Sequence, residues 1–177
     1  MEIVARRLGE ALPGERIESA LTPGINALKT FDPPLSALEG RRFAGAERRA
    51  KRLFFPTEDG ELVLLVHLMS AGRLRYLRAG KTGPKTPAFR LRFEGGGELV
   101  LTEGGPKKRA GVWLLTPEAA QQELAHLGPE ALGVGVERLG EILASDSRRL
   151  HSFLRDQRAL AGIGRAWANE ILQRAKL

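Results

Sequence analysis

A chain of 177 residues holds one sizeable domain or two small ones, and 42% hydrophobic residues suffice for a packed core, which excludes a disordered chain. Twenty-eight Lys and Arg against 21 Asp and Glu leave a formal charge of +7, so the expected partner is a polyanion. Nucleic acid ranks before membrane, because no basic amphipathic helix stands out. The chain has no cysteine, excluding disulfides and Cys-ligated zinc within it, and no apolar run of transmembrane length or signal-peptide pattern, so a soluble intracellular protein is expected.

The first predicted element is a short amphipathic helix carrying Ile3, Val4 and Leu8, ended by Pro13-Gly14. A β-rich stretch follows, with strands expected within 16–22, 40–55, 61–68, 72–78, 87–94, 98–102 and 111–115. Phe89, Leu91 and Phe93 alternate with Arg90 and Arg92, which predicts a strand with one core face and one basic face. Residues 62–66 are uniformly apolar, as a fully buried strand would be. Turns rich in Gly and Pro separate the strands, at 80–87, 95–97 and 104–106. After Thr116-Pro117, where Thr can cap a helix and Pro can fill its first turn, the pattern is helical to the end.

Near the C-terminus the chain reads Leu160-Ala161-Gly162-Ile163-Gly164-Arg165-Ala166-Trp167-Ala168, a Gly-Ile-Gly turn between two predicted helices. One covers 146–156, with Ser145 or Asp146 as its cap and Leu150, Phe153 and Leu154 on one face. The other covers 165–176, with Ala168, Ile171, Leu172 and Ala175 as its apolar stripe. Two glycines one residue apart let the backbone turn with little side-chain bulk. The next helix offers free N–H groups and a positive dipole end, which suit an anion. In a basic protein that anion is a nucleic-acid phosphate; the alternative is an ordinary connection between two helices.

Other stretches accompany this turn: Glu2-Ile3-Val4-Ala5-Arg6-Arg7-Leu8, Arg48-Arg49-Ala50-Lys51-Arg52-Leu53, His67-Leu68-Met69-Ser70-Ala71-Gly72-Arg73-Leu74-Arg75, Lys108-Arg109-Ala110-Gly111-Val112-Trp113-Leu114 and Leu127-Gly128-Pro129-Glu130-Ala131-Leu132. In this order, and over nearly the whole chain, they resemble the formamidopyrimidine-DNA glycosylase and endonuclease VIII family. The first looks like the family's opening helix. The next three resemble its Arg-Arg-Ala-Lys-Tyr-Leu, His-Leu-Gly-Met-Ser-Gly-Ser-Leu-Arg and Arg-Arg-Phe-Gly-Ala-Trp-Leu segments, and the last its Leu-Gly-Pro-Glu-Pro-Leu. The C-terminal turn resembles the Gly-(Val/Ile)-Gly-Asn hairpin of the family's helix–two-turn–helix module. The segment Leu28-Lys29-Thr30-Phe31-Asp32-Pro33-Pro34 is a weaker mark of one branch.

A glycosylase must take its target base out of the duplex, so it needs phosphate grips, a plug for the vacated space, a nucleophile and an acid/base. The resemblance implies that Lys51 touches DNA near the lesion and assists elimination. Strand alternation would set it on the same side as Arg49, and without the family match both belong to a solvated charge cluster. His67 is implied to lie near the DNA backbone, the alternative being a hydrogen-bonded rim residue. Lys107, Lys108 and Arg109 sit on a Gly-Pro-initiated loop from which long cations reach phosphate or a base edge, and Arg109 matches the arginine that reads the base opposite the lesion. Gly162, Gly164 and Arg165 are implied to hold phosphate, Arg165 with a charge where the family has an asparagine amide. His151 stands where the family commonly has a lysine pointing into the site. The family's wedge phenylalanine is Ala110 here, and its plug methionine matches Ser70, with Met69 beside it either as a wedge or as plain packing. Trp113 and Trp167 are expected in the core, and Glu170 in a structural role.

The family's nucleophile is an N-terminal proline amine, with a glutamate beside it to move protons. Neither is in this chain, where Met1 matches the valine of the family's opening Pro-Glu-Leu-Pro-Glu-Val. The resemblance therefore implies truncation at both ends: a start several residues upstream, and further helices and a zinc or zincless finger beyond Leu177. The resulting expectation is an α+β protein. Residues 1–117 form a β-sandwich and 118–177 the start of a helix–two-turn–helix domain, with double-stranded damaged DNA in a basic cleft. The implied activity is base-excision repair by a bifunctional DNA glycosylase/AP lyase. The implied protein is monomeric, cytoplasmic and nucleoid-associated in a bacterium, away from membranes and without a cofactor in this chain. The rivals are a catalytically inactive DNA-binding paralogue or fragment and, more weakly, a ribosome-associated module.

Overall fold

A computed structural model describes residues 1–24 and 26–177, which divide into two compact units. One comprises Met1–Arg48 with Arg52–Gln121; the other comprises Arg49–Lys51 with Gln122–Leu177. The second unit therefore claims three residues from the middle of the β-rich half, as well as the end of a helix that starts in the first.

The first unit is a β-sandwich. Its elements are α1 (Glu2–Ala11), then β1 (Ile17–Leu21), a 3₁₀ turn at Leu35–Leu38, β2 (Glu47–Arg49), β3 (Arg52–Pro56), β4 (Val63–His67), β5 (Gly72–Leu77), β6 (Phe89–Phe93), β7 (Glu98–Glu103) and β8 (Gly111–Leu115). One sheet runs β1-β6-β7-β5 and the other β2-β3-β4-β8. Inward residues of both, among them Ile17, Leu91, Phe93 and Leu99 from one and Phe55, Leu64, Val66 and Leu114 from the other, form a single core with Leu8 of α1. The alternation expected of β6 is present. Phe89, Leu91 and Phe93 are buried, while Arg90 and Arg92 on the other face both pair with Glu98, at 3.3 and 3.2 Å. The apolar run in β4 is buried on both faces from Val63 to Val66, as its place between β3 and β8 requires.

Residues 40–46, expected to extend a strand, carry only isolated bridges, Arg42 to Arg16 and Phe43 to Thr57. Ala50-Lys51 is a turn, with Ala50 at φ +54, so Lys51 does not share a strand face with Arg49 as alternation had implied. In α2 (Pro117–Leu124) the Thr116 hydroxyl accepts the Ala119 N–H at 3.3 Å, the cap read in Thr116-Pro117.

The second unit holds α3 (Val136–Ala144), α4 (Leu150–Arg155) and α5 (Arg165–Arg174) around Phe153, Leu154, Leu160, Ile163 and Ala168. The helix expected over 146–156 begins only at Leu150, and neither Ser145 nor Asp146 caps it. The Asp146 carboxylate instead accepts the backbone N–H and guanidinium of Arg148, which also reaches Asp156 at 2.7 Å; this local alternative holds 146–149 outside the helix. Of the expected stripe on α5 only Ala168 is fully buried. Ile171 is exposed, and Trp167, expected in the core, is 66% exposed, while Trp113 is half-buried. The small Ala168 takes the inward position of the first turns, which turns its bulky neighbour outward. Leu150 is exposed as well. No helix of the described residues is long and apolar enough to cross a membrane.

Candidate nucleic-acid interface

In the second unit the segment 127–132 builds the site. Gly128 N–H donates to Gln157 O at 2.9 Å, and Pro129 O accepts the Ala161 N–H at 2.8 Å, so this segment lies along the chain entering the Gly-Ile-Gly turn. A side chain at Gly128 would collide with Arg158 O at 2.4 Å, so the close approach requires glycine. On its other side Glu130 accepts the Ala50 N–H and pairs with Arg49 at 3.3 Å, while Arg49 also donates to Gly128 O at 3.3 Å. These bonds offset the cost of Ala50 in the left-handed region, about 1–2 kcal/mol, and they aim Lys51.

Lys51 ends beside Gly164. A Cβ placed on that glycine would lie 3.7 Å from both Cε and Nζ of Lys51. Gly164 is the extended N-cap of α5, at φ −110° and ψ 179°, and supplies no side chain to the first-turn N–H groups. The turn itself is clamped by Gln157. Its Oε1 accepts the Gly162 N–H at 3.0 Å, and its Nε2 donates to Ile163 O and Arg155 O, both at 2.9 Å. Gly162, at φ +100°, makes the reversal that the clamp holds. Burial, and next the positive charge of Arg155, hold the Lys51 amine below its ordinary pKa. Among the described residues Lys51 has no ion pair. A partly desolvated amine, a second cation and the open N-terminus of α5 thus converge where an anion would satisfy all three. Arg165 is exposed at the first position of α5, and His151 is half-buried on α4.

The remaining candidates belong to the first unit. Register sets His67, at the end of β4, between Arg52 and Gly111. Its Nδ1 accepts the Met69 N–H at 3.0 Å. Met69 is 51% exposed at φ +50°, whereas Ala110 is buried and presents nothing outward. The loop before β8 is organised by Glu103, whose carboxylate accepts the N–H groups of Arg109 and Ala110 at 2.8 to 3.1 Å. Lys108 folds back to donate to Glu103 O, while the Lys107 and Arg109 side chains are exposed and, among the described residues, have no ion pair. The candidates therefore form two groups: Lys51, His151, Gly162, Gly164 and Arg165 in one unit, His67, Lys108 and Arg109 in the other.

Sequence reasoning missed Glu103, Glu130 and Gln157, which hold these groups, and Arg155, whose charge bears on Lys51. Glu130 lies within a quoted motif, but nothing local says that its carboxylate serves a backbone N–H 80 residues away. Gln157 precedes the turn by five residues, a spacing with no pattern of its own. Glu170 pairs with Arg174 at 3.0 Å, consistent with a structural role. Among the described residues no three His, Cys, Asp or Glu side chains group so as to hold a metal ion.

Comparison with known proteins agrees with this architecture. Residues 1–110 match the family model of the formamidopyrimidine-DNA glycosylase N-terminal domain. The chain is 30% identical over 179 residues to a formamidopyrimidine-DNA glycosylase of Desulfitobacterium hafniense, covering 99% of this chain and 65% of the relative. It is 38% identical over 151 residues to that of Rhodospirillum centenum, covering 78% and 52%. The chain thus spans about two thirds or less of the length of these relatives. Among solved structures, Lactococcus lactis formamidopyrimidine-DNA glycosylase bound non-covalently to DNA containing an AP site superposes with a TM-score of 0.85 at 23% identity, covering 99% of this chain and 68% of that one. The same enzyme with Fapy-dG-containing DNA gives 0.86 at 24%, covering 99% and 67%. With the family model matched over residues 1–110, more than half of its length, the chain belongs to the formamidopyrimidine-DNA glycosylase family.

Proposed function

We propose that this chain grips damaged double-stranded DNA as the DNA-engaging part of a base-excision glycosylase, one that removes a damaged base and, as an AP lyase, nicks the abasic site. The observation that carries this reading is the Lys51 amine, partly desolvated and unpaired, set against Gly164 and the open N-terminus of α5. A phosphate there accepts N–H groups, meets the helix dipole and neutralises Lys51 and Arg155 together. Arg165 adds a phosphate contact at the start of α5, and His151 lines the same unit. His67, Lys108 and Arg109 contribute backbone and base-edge contacts from the sandwich, where Arg109 reads the base left opposite the lesion. Exposed Met69 is the side chain available to fill the vacated space, a role that buried Ala110 cannot take. The superposable Lactococcus lactis complexes hold AP-site and Fapy-dG DNA, which supports this substrate class. The working protein is a cytoplasmic monomer acting on nucleoid DNA.

Fluorescence anisotropy with a duplex carrying a stable abasic-site analogue tests the reading. The chain binds this duplex more tightly than an undamaged one, and log K falls linearly and steeply with log salt concentration. Equal affinity for the two duplexes, or binding that stays flat from low to moderate salt, refutes it. The second reading is a family member that binds abasic DNA without cleaving it. Borohydride trapping on abasic DNA separates the two: a covalent adduct and strand cleavage support the enzyme, tight binding without either supports the second reading.

A further inference from the structure

A groove of about 570 Å³ lies on the sandwich unit, lined by Val4, Arg7 and Leu8 of α1 and by five consecutive residues from Leu74 to Arg78, none of them among the candidate contacts described above. Four of the five, Leu74 to Leu77, belong to β5; successive side chains of a strand point to opposite faces, so a groove that touches four in a row follows the strand's edge. β5 does end its sheet, whose order is β1-β6-β7-β5, and among the described residues it pairs with β7 alone. Its outer row of N–H and C=O groups is a ready template for one more strand.

The charges around this edge differ from those elsewhere on the unit. Arg16, Arg41, Arg48, Arg90 and Arg92 each meet a carboxylate within 4 Å. Arg7, Arg75 and Arg78 meet none among the described residues, and Glu10 is the one carboxylate lining the groove. Between these cations the floor is apolar, from Val4, Leu8 and Leu74.

We propose that the β5 edge is a docking site for an extended acidic segment of a protein partner, added to the sheet as a further strand. Main-chain hydrogen bonds to β5 supply affinity, the carboxylates meet Arg75 on the strand, Arg7 on α1 and Arg78 just past the strand's end, and the apolar residues between them enter the floor. The partner is not a second copy of this chain, because β5 against β5 would set Arg73 and Arg75 against the arginines of the copy, and like charges facing across strands repel. Nor is it a duplex, whose phosphates have no use for a floor of valine and leucine. Five residues in the groove span about 17 Å, so a segment of five to seven residues fills it.

The probe is a terminally blocked seven-residue peptide alternating aspartate with leucine, labelled with a fluorophore and titrated with the full chain. Anisotropy rises saturably, hydrogen exchange slows at the amides of Gly72–Leu77, and a peptide alternating lysine with leucine does not bind. Arg75→Glu weakens the acidic peptide at least tenfold, as does Arg78→Glu. Both residues are exposed, and an unchanged thermal melt shows that the fold is retained; a variant that melts early is replaced in the comparison by the other. Absence of binding, binding unchanged in the two variants, or protection confined to another strand overturns the proposal. Displacement of the peptide by equimolar duplex DNA also overturns it, and assigns the groove to nucleic acid.

Discussion

The two glycines of the Gly-Ile-Gly turn do different physical work, and replacing each by alanine separates folding from anion binding. Gly162 sits at φ +100°, where an L side chain is strained. Gly162→Ala therefore costs about 1–3 kcal/mol, and the strain falls on the segment clamped by Gln157. For a chain of this size, with about 2–4 °C per kcal/mol, Tm drops by several degrees. Gly164 is at φ −110°, open to any residue, and a Cβ there makes only ordinary contact at 3.7 Å with Lys51. Gly164→Ala loses the modest preference of an N-cap for glycine over alanine and regains about 0.4–1 kcal/mol from a less flexible unfolded chain. The two nearly cancel, so Tm moves little. The methyl group does, however, occupy the space between the Lys51 amine and the N-terminus of α5. Losing one charge-assisted hydrogen bond there costs about 1.5–3 kcal/mol, roughly tenfold or more in affinity for abasic-analogue duplex. Thermal melts and anisotropy at one fixed salt concentration measure both quantities. A Gly164→Ala chain with parental affinity and parental Tm refutes the anion position, and one that melts as early as Gly162→Ala refutes the separation of roles.

Lys51→Met tests the same site through pH. Burial and Arg155 lower the amine's folded pKa below its ordinary value of 10.5, so the unfolded chain binds this proton more tightly. Stability thus rises with pH between the folded pKa and 10.5, and the penalty for the charged amine is fully present below that window. Urea melts across it show the rise in the parent and its loss in Lys51→Met, which is also the more stable chain at neutral pH and the weaker DNA binder; identical slopes in both chains would count against the burial argument. In the loop before β8, Arg109→Ala weakens abasic-duplex binding and alters the preference among opposite bases, whereas Lys107→Ala weakens all duplexes alike. Parental binding by both makes the loop a solvated turn. Glu103→Gln removes the charge that receives the Arg109 and Ala110 N–H groups, so it reproduces part of the Arg109→Ala loss with Arg109 intact; unchanged affinity and opposite-base preference would show that Glu103 does not position it.

The parts of the fold legible in the sequence are those governed by neighbours along the chain. The alternation of β6 and the apolar run of β4 state directly which faces are buried, and Thr116-Pro117 marks the start of α2 because capping acts over three residues. The Gly-Ile-Gly turn is legible for the same reason. Asp146 shows the limit of such reasoning, since a good cap residue has competing local partners, and Arg148 two residues on wins the carboxylate. Trp167 shows another: hydrophobicity places it inside, yet the close packing of Ala168 gives the inward position to the smaller side chain.

The setting of Lys51 is the feature least legible from sequence, and long-range contact is the reason. As a strand residue among Arg48, Arg49 and Arg52 it reads as one more solvated cation. Its environment comes from Glu130, which receives the Ala50 N–H, and from Gly164, which leaves room for the amine, respectively 80 and more than 100 positions away from the turn. Neither contact stabilises the charged amine, and its partial burial beside Arg155 opposes it. Folding alone gives no reason to place a cation there, because an apolar side chain of similar length would fill the position at lower cost. Its environment improves when an anion arrives, so the free energy withheld in the empty protein is returned on binding. On this argument Lys51→Met, stabilising and binding-defective in one substitution, is the signature of a residue kept for its ligand.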